Sequence, residues 1–385
     1  MRKPVLLICY DHFYPAYKAG GPIQSLTNLA NGLETMYSIY VLTSAHDLNE
    51  QAQLDVAETD CWTNVQLPGA AETIHVWYAS RKKQGINGIG EAVKKACPDF
   101  IYLNGMFSYA FVLVPLLKFR HIHTVICPRG MLQKGALAGK ALKKKGYLGL
   151  LKLSGLCSNL CWHATNEEEK EDISRIFGSR SRVTVAGNIP AKPLTQISFP
   201  AKEPGKLKLV YLSLVTAKKN LLQLVQVIAT SGTGISLDIC GPVKDAVYWE
   251  KCGEAMKAAP GRIRYLGDVK PEMVQQVFSN YDASVLLTHG ENFGHALYES
   301  LSAGRPVITS NFTPWNALQE KKAGWNVDLS DNARIAALFG ELAAMQPGQY
   351  NEYCSGAHIV ACDYYRHGFD LATYRDIFSD GRFQP

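Results

Sequence analysis

Two glutamates eight positions apart, Glu291 and Glu299, carry the densest chemistry in this sequence. Glu291 lies in the loop Gly290-Glu291-Asn292-Phe293-Gly294, and Glu299 lies inside the helical pattern that follows over residues 294–303, with Gly304 placed to end it. A glycine-bounded loop opening a helix presents backbone N–H groups at the positive end of the helix dipole. Such a place binds anions, a pyrophosphate above all. Carboxylates beside a phosphate would repel it, so their natural partners are sugar hydroxyls, and one carboxylate can accept from two vicinal hydroxyls. Either glutamate alone is explained by a solvated helix face or by the dipole's preference for acid at its start. The pair together describes a ligand that carries both phosphates and hydroxyls.

Three further segments hold polar groups next to strand ends. Gly20-Gly21-Pro22 closes the first strand–helix loop. Its glycines let the backbone approach a phosphate and Pro22 suits the first helical turn, although an ordinary turn explains the dipeptide equally well. Arg129, in Cys127-Pro128-Arg129-Gly130, cannot act as a base at neutral pH, so its functional reading is a contact with an anion. Asn104 ends another strand on the same rim and is read as a hydrogen-bonding partner for a sugar. Thr165 or Asn166, before Glu167, reads as a plain helix N-cap.

The spacing of Glu291 and Glu299, with Phe293, Gly294, Ala303, Gly304, Pro306 and Val307 in place around them, resembles the retaining GT-B glycosyltransferases of family 4. The resemblance is firm over residues 283–310 and looser along the rest of the chain. It implies that Glu291 contacts the transferred sugar, that backbone N–H groups of Asn292, Phe293 and Gly294 approach sugar or phosphate, and that Glu299 holds the ribose hydroxyls. Leu297 and Tyr298 would lie beside ribose and phosphates, and Gly20 and Gly21 would reach the donor phosphate. In the stretch from Ser213 to Leu221 the family places an Arg and then a Lys that neutralise the departing diphosphate. Lys219 matches the second element. The Arg position is Leu214, a departure that leaves Lys218 to compensate. Lys218 and Lys219 are otherwise a solvated helix start. Asp268 and Val269 would meet the nucleobase through their backbone.

The implied chemistry is transfer of a sugar from a nucleotide-sugar donor to a saccharide or lipid-linked acceptor in surface polysaccharide or glycoconjugate synthesis. Stereochemistry would be retained, and Glu291, Lys219 and Arg129 would do the catalytic work. No Asp-x-Asp pair occurs in the sequence, so a metal-free site without cofactor is the expectation. Two rivals stand beside it: a nucleotide-sugar epimerase of the same shape, and a non-catalytic partner subunit, which Leu214 favours. A nicotinamide-dependent dehydrogenase is disfavoured because no G-x-G-x-x-G follows the first strand.

The elements that must hold these residues alternate strand and helix twice. Strands are expected at residues 5–10, 39–43, 100–103 and 124–127, with an amphipathic helix at 23–33. A Pro-rich stretch follows, and then strands at 207–213, 236–240, 263–266, 283–287 and 307–310, with helices at 221–229 and 271–279. The fold expected is α/β, the GT-B arrangement of two Rossmann-like domains with parallel sheets facing across a cleft. Residues 1–190 would form an acceptor-side domain, 189–206 a linker, and 205–363 the nucleotide-sugar domain. A crossover helix at about 364–385 would return to the first domain. Ligands of open parallel sheets bind outside the C-terminal strand ends, where every residue above falls.

Composition supports an ordinary two-domain globular chain: 385 residues, 47% hydrophobic and 19% charged. Ten scattered cysteines without C-x-x-C read as free thiols in a reducing compartment, and Cys157 and Cys161 would share one face of a helix. The first apolar run is short and interrupted by Asp11 and His12. Neither export nor a membrane span is therefore expected, and the location read from this is cytoplasmic. The charge of +6 is uneven, with Lys134, Lys140, Lys143, Lys144, Lys145 and Lys152 close together among leucines. That segment is either a solvated helix or a face for an anionic membrane surface, which would place the chain peripherally on its inner side. No nucleic-acid motif accompanies the lysines.

Overall fold

The computed structural model describes residues 2–138, 141–157, 160–199 and 201–378. Its contacts divide the chain into two compact units: Met1–Ile189 with Phe369–Pro385, and Pro190–Gly368. The chain thus crosses between units at Ile189 and again at Gly368. The helix Pro347–His367 runs without a break through residue 364, where a separate crossover helix was expected to begin. The shorter helix Leu371–Ile377 follows the second crossing. Pro200, within the expected linker, and residues 379–385 of the expected crossover helix lie outside the described residues.

The first unit is built on strands β1 (Val5–Cys9), β2 (Ser38–Ser44), β3 (Trp62–Gln66), β4 (Thr73–Ala79), β5 (Phe100–Asn104), β6 (His123–Cys127), β7 (Cys161–Ala164) and β8 (Arg182–Val185). Their order is β3-β4-β2-β1-β5-β6-β7-β8. All neighbours are parallel except β3, which runs antiparallel to β4 at the edge. Because helices cover both faces, β1 reads as one apolar run, Val-Leu-Leu-Ile-Cys, buried throughout. Strand alternation sends Leu6 and Ile8 into one core layer and Leu7 and Cys9 into the other. β1 pairs with β2 on one side and β5 on the other. The strand order therefore reverses at β1.

The second unit repeats this plan with β9 (Leu207–Leu212), β10 (Ile235–Cys240), β11 (Ile263–Gly267), β12 (Ala283–Leu286), β13 (Val307–Ser310) and β14 (Gly324–Val327), all parallel. The order β11-β10-β9-β12-β13-β14 reverses at β9. Leu209 and Tyr211 enter the large core layer, while Val210 and Cys240 face a smaller one completed by Val274, Phe278 and Ala303. Gly241 holds a left-handed φ of 129°, and a Cβ there would sit 2.1 Å from the Ser213 carbonyl oxygen. Only glycine lets these two strand ends approach so closely.

Two expectations need correction. Cys157 and Cys161 do not share a helix: Cys157 lies in a turn, and Cys161 opens β7. All ten cysteines are free thiols, and burial pushes Cys157 up to about 11. The helix expected over 271–279 starts as a tighter 3₁₀ turn, Pro271–Met273, before the α-helix Val274–Ser279. Among the described residues no helix is long and apolar enough to cross a membrane.

Candidate functional site

In open α/β sheets the crevice at the C-terminal strand ends, where the order reverses, is the place a ligand enters. In the second unit that crevice lies between the loops following β9 and β12, and these are the loops that hold the sequence-predicted residues. After β9 the chain passes Ser213 to a 3₁₀ turn, Ala217–Lys219, then through left-handed Asn220 (φ 56°) into the helix Leu221–Thr230. After β12 it passes Thr288–Gly294 into the helix His295–Ser302.

The two loops are tied across the crevice. The His289 N–H donates to the Lys218 carbonyl at 2.9 Å, and the Thr288 hydroxyl donates to the same oxygen at 3.2 Å. The Lys219 ammonium forms an ion pair with Glu291 Oε1. The Glu291 side chain is 11% exposed and that of Lys219 18%, so the pair is shielded enough to be worth more than a surface contact. The backbone of Glu291 is fixed in turn, its N–H donating to Phe312 O at 3.0 Å.

The start of the following helix is set by Gly294, whose φ of 78° a side chain would resist. Gly294 contributes no side-chain cap. An α-helix leaves its first N–H groups without intrahelical acceptors, so this end keeps the positive dipole that suits a phosphate. Phe293 anchors the turn. Its carbonyl accepts from Trp315 Nε1 at 2.6 Å, and its ring packs on His295, Trp315 and Tyr364. One turn further on, burial pushes the Glu299 carboxyl from 4.5 up to about 8, so at neutral pH it is mostly protonated.

Several predicted residues play other parts. Leu297 and Tyr298 are 1% exposed and belong to the core; the Tyr298 hydroxyl donates to Ala191 O at 2.9 Å. The helix turns their side chains inward to bury its apolar face. The Leu214 carbonyl accepts from the Tyr211 hydroxyl at 2.9 Å. Lys218 is exposed, and its carbonyl ties the two loops. Asp268 is exposed and Val269 half-buried just beyond β11, two strands from the reversal point.

In the first unit the reversal point lies between the loops after β1 and β5. Sequence reasoning missed the contact found there: the Ser108 hydroxyl donates to Asp11 Oδ1 at 2.8 Å. The available signal was an acid two residues beyond the first strand. Gly20 takes a φ of 77° and precedes the helix Gly21–Leu33, which it leaves without a side-chain cap. The loop before it is held by Asp47, whose Oδ2 accepts from the Tyr17 N–H at 2.9 Å.

Asn104 requires correction, and Arg129 is its partner. Asn104 is wholly buried, and its Oδ1 accepts from Arg129 Nε at 2.9 Å. The same guanidinium donates from Nη1 to Asn188 Oδ1 at 2.7 Å and from Nη2 to the Tyr102 hydroxyl at 3.0 Å. Asn104 is thus spent on Arg129 instead of a sugar, and all three nitrogens of Arg129 are engaged inside the unit. Burial, followed by the nearby Arg129 charge, pushes His163 down to about 3, so its ring is neutral. Its Nε2 donates to Ala186 O at 2.9 Å, which leaves Nδ1 to accept from the Tyr102 hydroxyl at 2.6 Å. As read from sequence, Asn166 is an N-cap, accepting from the Glu169 N–H at 2.8 Å.

In the lysine-rich segment, the helix Ala141–Leu153 buries Leu148 and Leu151 and leaves Leu142, Leu150 and Leu153 exposed beside Lys143 and Lys145. Lys140 lies outside the described residues.

Residues 195–353 match the family model described as Glycosyl transferases group 1. No curated protein matches the chain in sequence. In three dimensions the chain is similar to sucrose-phosphate synthase from Thermosynechococcus elongatus, with a TM-score of 0.73 at 16% identity, covering 98% of this chain and 99% of that one. It is similar to HepE of Anabaena, solved in complex with UDP and glucose, with a TM-score of 0.68 at 13% identity over 98% of each chain. It is also similar to WaaG, described as a glycosyltransferase involved in lipopolysaccharide biosynthesis, with a TM-score of 0.66 at 12% identity, covering 98% of this chain and 100% of that one. The fold is the two-domain α/β fold with parallel sheets of these GT-B structures.

Proposed function

We propose that this chain is a glycosyltransferase that moves a sugar from a nucleotide-sugar to an acceptor hydroxyl, the second unit holding the donor. The observation that carries the proposal is the Lys219–Glu291 pair at the crevice between β9 and β12, beside an uncapped helix start, with Glu299 one turn beyond. The group 1 match over this unit supports the reading, as does the similarity to a protein solved with UDP and glucose.

In the proposed complex the diphosphate takes the Lys219 ammonium and the N–H groups of Asn292 to Gly294. Sugar hydroxyls donate to Glu291, and ribose hydroxyls to Glu299. The acceptor oxygen bonds to the anomeric carbon on the face the diphosphate leaves, so configuration is retained. The breaking C–O bond gives its electron pair to the diphosphate, whose oxygen takes the acceptor's proton. Lys219 and the helix start meet the growing charge without a metal. Arg129 and Asn104 support the first unit from within. The acceptor is proposed to be a saccharide, free or lipid-linked. The exposed leucines and lysines of Ala141–Leu153 would meet an anionic bilayer, which co-sedimentation with phosphatidylglycerol vesicles at low and high salt tests; no salt-sensitive binding would end that part.

A melting-temperature screen against nucleotide-sugars tests the donor reading. A cognate donor at one hundred times its Kd adds about 2.7 kcal/mol, a rise of several degrees. A panel of uridine, guanosine, adenosine and cytidine sugars that leaves the melting temperature unmoved would refute it. Leu214 favours a second reading, a non-catalytic subunit, which predicts the melting shift without turnover.

A further inference from the structure

The loop that carries Glu291 is braced by the end of β13 and the loop after it, a segment to which no sequence reading gave a role. Hydrogen bonds join the two in register. The Ser310 hydroxyl donates to Thr288 O at 2.5 Å, the Glu291 N–H donates to Phe312 O at 3.0 Å, and Trp315 Nε1 donates to Phe293 O at 2.6 Å. The N–H groups at the start of the Glu291 loop are taken. His289 gives its own to Lys218 O, Gly290 to Thr288 Oγ1 at 3.2 Å, and Glu291 to Phe312 O. The Gly294 N–H has no acceptor among the described residues. Trp315 sets its direction. The Phe293–Gly294 peptide is trans and planar, so its C=O and N–H point opposite ways. The indole draws that carbonyl into an aromatic core, where Trp315 is buried and its ring packs on Phe293, Tyr298 and Tyr364. The N–H of the same peptide is thereby turned away from the core, on a residue that is itself half-buried. A Cβ on Gly294 would lie 3.6 Å from Glu291 Cγ, so this peptide stands beside the Glu291 side chain. Trp315 is held in turn from β14. Asn326 Nδ2 donates to Trp315 O at 2.8 Å, while Asn326 Oδ1 accepts the Leu318 N–H at 3.1 Å.

We infer that Trp315 is a positioning residue of the donor site: its indole N–H holds the Phe293 carbonyl inward and so aims the Gly294 N–H at the departing diphosphate. This rests on the glycosyltransferase reading above. A hydrogen-bond donor fixed before the reaction meets charge as it develops, with no cost of reorientation at that moment, and a misaimed donor loses most of that benefit. Trp315 touches no reactant and acts through this one peptide.

The test uses the full chain and the nucleotide-sugar giving the largest melting shift, together with its nucleoside and its nucleoside diphosphate. Calorimetry gives Kd for the nucleoside and for the diphosphate, and nucleotide release from the nucleotide-sugar gives the maximal rate. Trp315→Phe keeps an aromatic ring and removes the N–H. It should leave the nucleoside Kd within about twofold, weaken the diphosphate about fivefold or more, and lower the maximal release rate about tenfold or more. Benzothienylalanine in place of Trp315 keeps the outline of the indole and replaces its N–H by sulfur. It should give the same pattern, and it serves as the measure should Trp315→Phe fail to fold. Either variant, folded and with the wild-type diphosphate Kd and release rate, overturns the inference while leaving the donor reading intact. So does equal weakening of nucleoside and diphosphate, which marks a loosened framework instead of a misaimed N–H. A wild type that neither binds nor turns over any nucleotide-sugar sinks the donor reading first, and this inference with it.

Discussion

Nucleotide binding should release a proton from Glu299. Burial holds this carboxyl at about 8 in the free protein, against 4.5 in an open setting. At pH 7, one unit below, about nine-tenths of the molecules carry it protonated. A ribose diol donating to Glu299 favours the ionised form, so binding at pH 7 should expel about 0.9 proton per nucleotide. Affinity should rise about tenfold per pH unit up to pH 8 and then level off. Return of the bound carboxyl to its open value would couple ionisation and binding by about 5 kcal/mol at most, at 1.36 kcal/mol per unit. Calorimetric titration at pH 7 with the nucleoside diphosphate of the donor that raises the melting temperature most, in buffers of differing ionisation heat, reads the proton count directly. The same group has a stability signature of fixed sign. Its folded value lies above its unfolded one, so its contribution is complete below pH 4.5 and is lost as pH rises through about 8. Glu299→Gln should therefore match the wild type near pH 4.5, exceed it by a few kcal/mol above pH 8, and release no proton on binding. Binding of that nucleotide with unchanged affinity from pH 6 to 8 and no proton release would refute this assignment of Glu299.

Lys219→Met should keep the fold and lower the maximal transfer rate by roughly 10²–10³, the usual cost of losing one charge-stabilising donor, as read in a nucleotide-release assay. Arg129→Lys keeps the charge but loses the planar fork that reaches Asn104, Asn188 and Tyr102, so chemical denaturation should show a loss of roughly 2–4 kcal/mol. A variant of unchanged stability with lost transfer would return Arg129 to the reacting centre. Gly241→Ala places a Cβ 2.1 Å from the Ser213 carbonyl and should cost about 3 kcal/mol or more in the same measurement.

Much of this architecture was legible because buried parallel strands are short apolar runs bounded by glycine. The strand at 307–310 was read to the residue, and the helix expected over 294–303 starts one residue later and ends one earlier. The edge strand β3 was not read, since its Thr-Asn-Val-Gln run is half-exposed and carries little apolar signal. Nor was the extent of the helix Pro347–His367, whose polar and aromatic residues hide its period. At the site, the spacing of Glu291, Gly294 and Glu299 on one loop and helix could be read because it is local. Side-chain direction could not. Leu297 and Tyr298 sit on the same helix yet turn into the core. Asn104 and Arg129 meet across a separation of 25 residues, so their mutual hydrogen bond has no sequence signature. The Asp11–Ser108 contact, 97 residues apart, escaped for the same reason.

Turnover by Glu291 variants bears most directly on the proposed chemistry. With the nucleotide-sugar that raises the melting temperature most, wild-type protein should form a glycosidic product, and donor alone should yield no isomerised sugar. Glu291→Ala should retain the wild-type circular dichroism spectrum and lose transfer by at least a hundredfold. Transfer by folded Glu291→Ala at the wild-type rate would contradict the account.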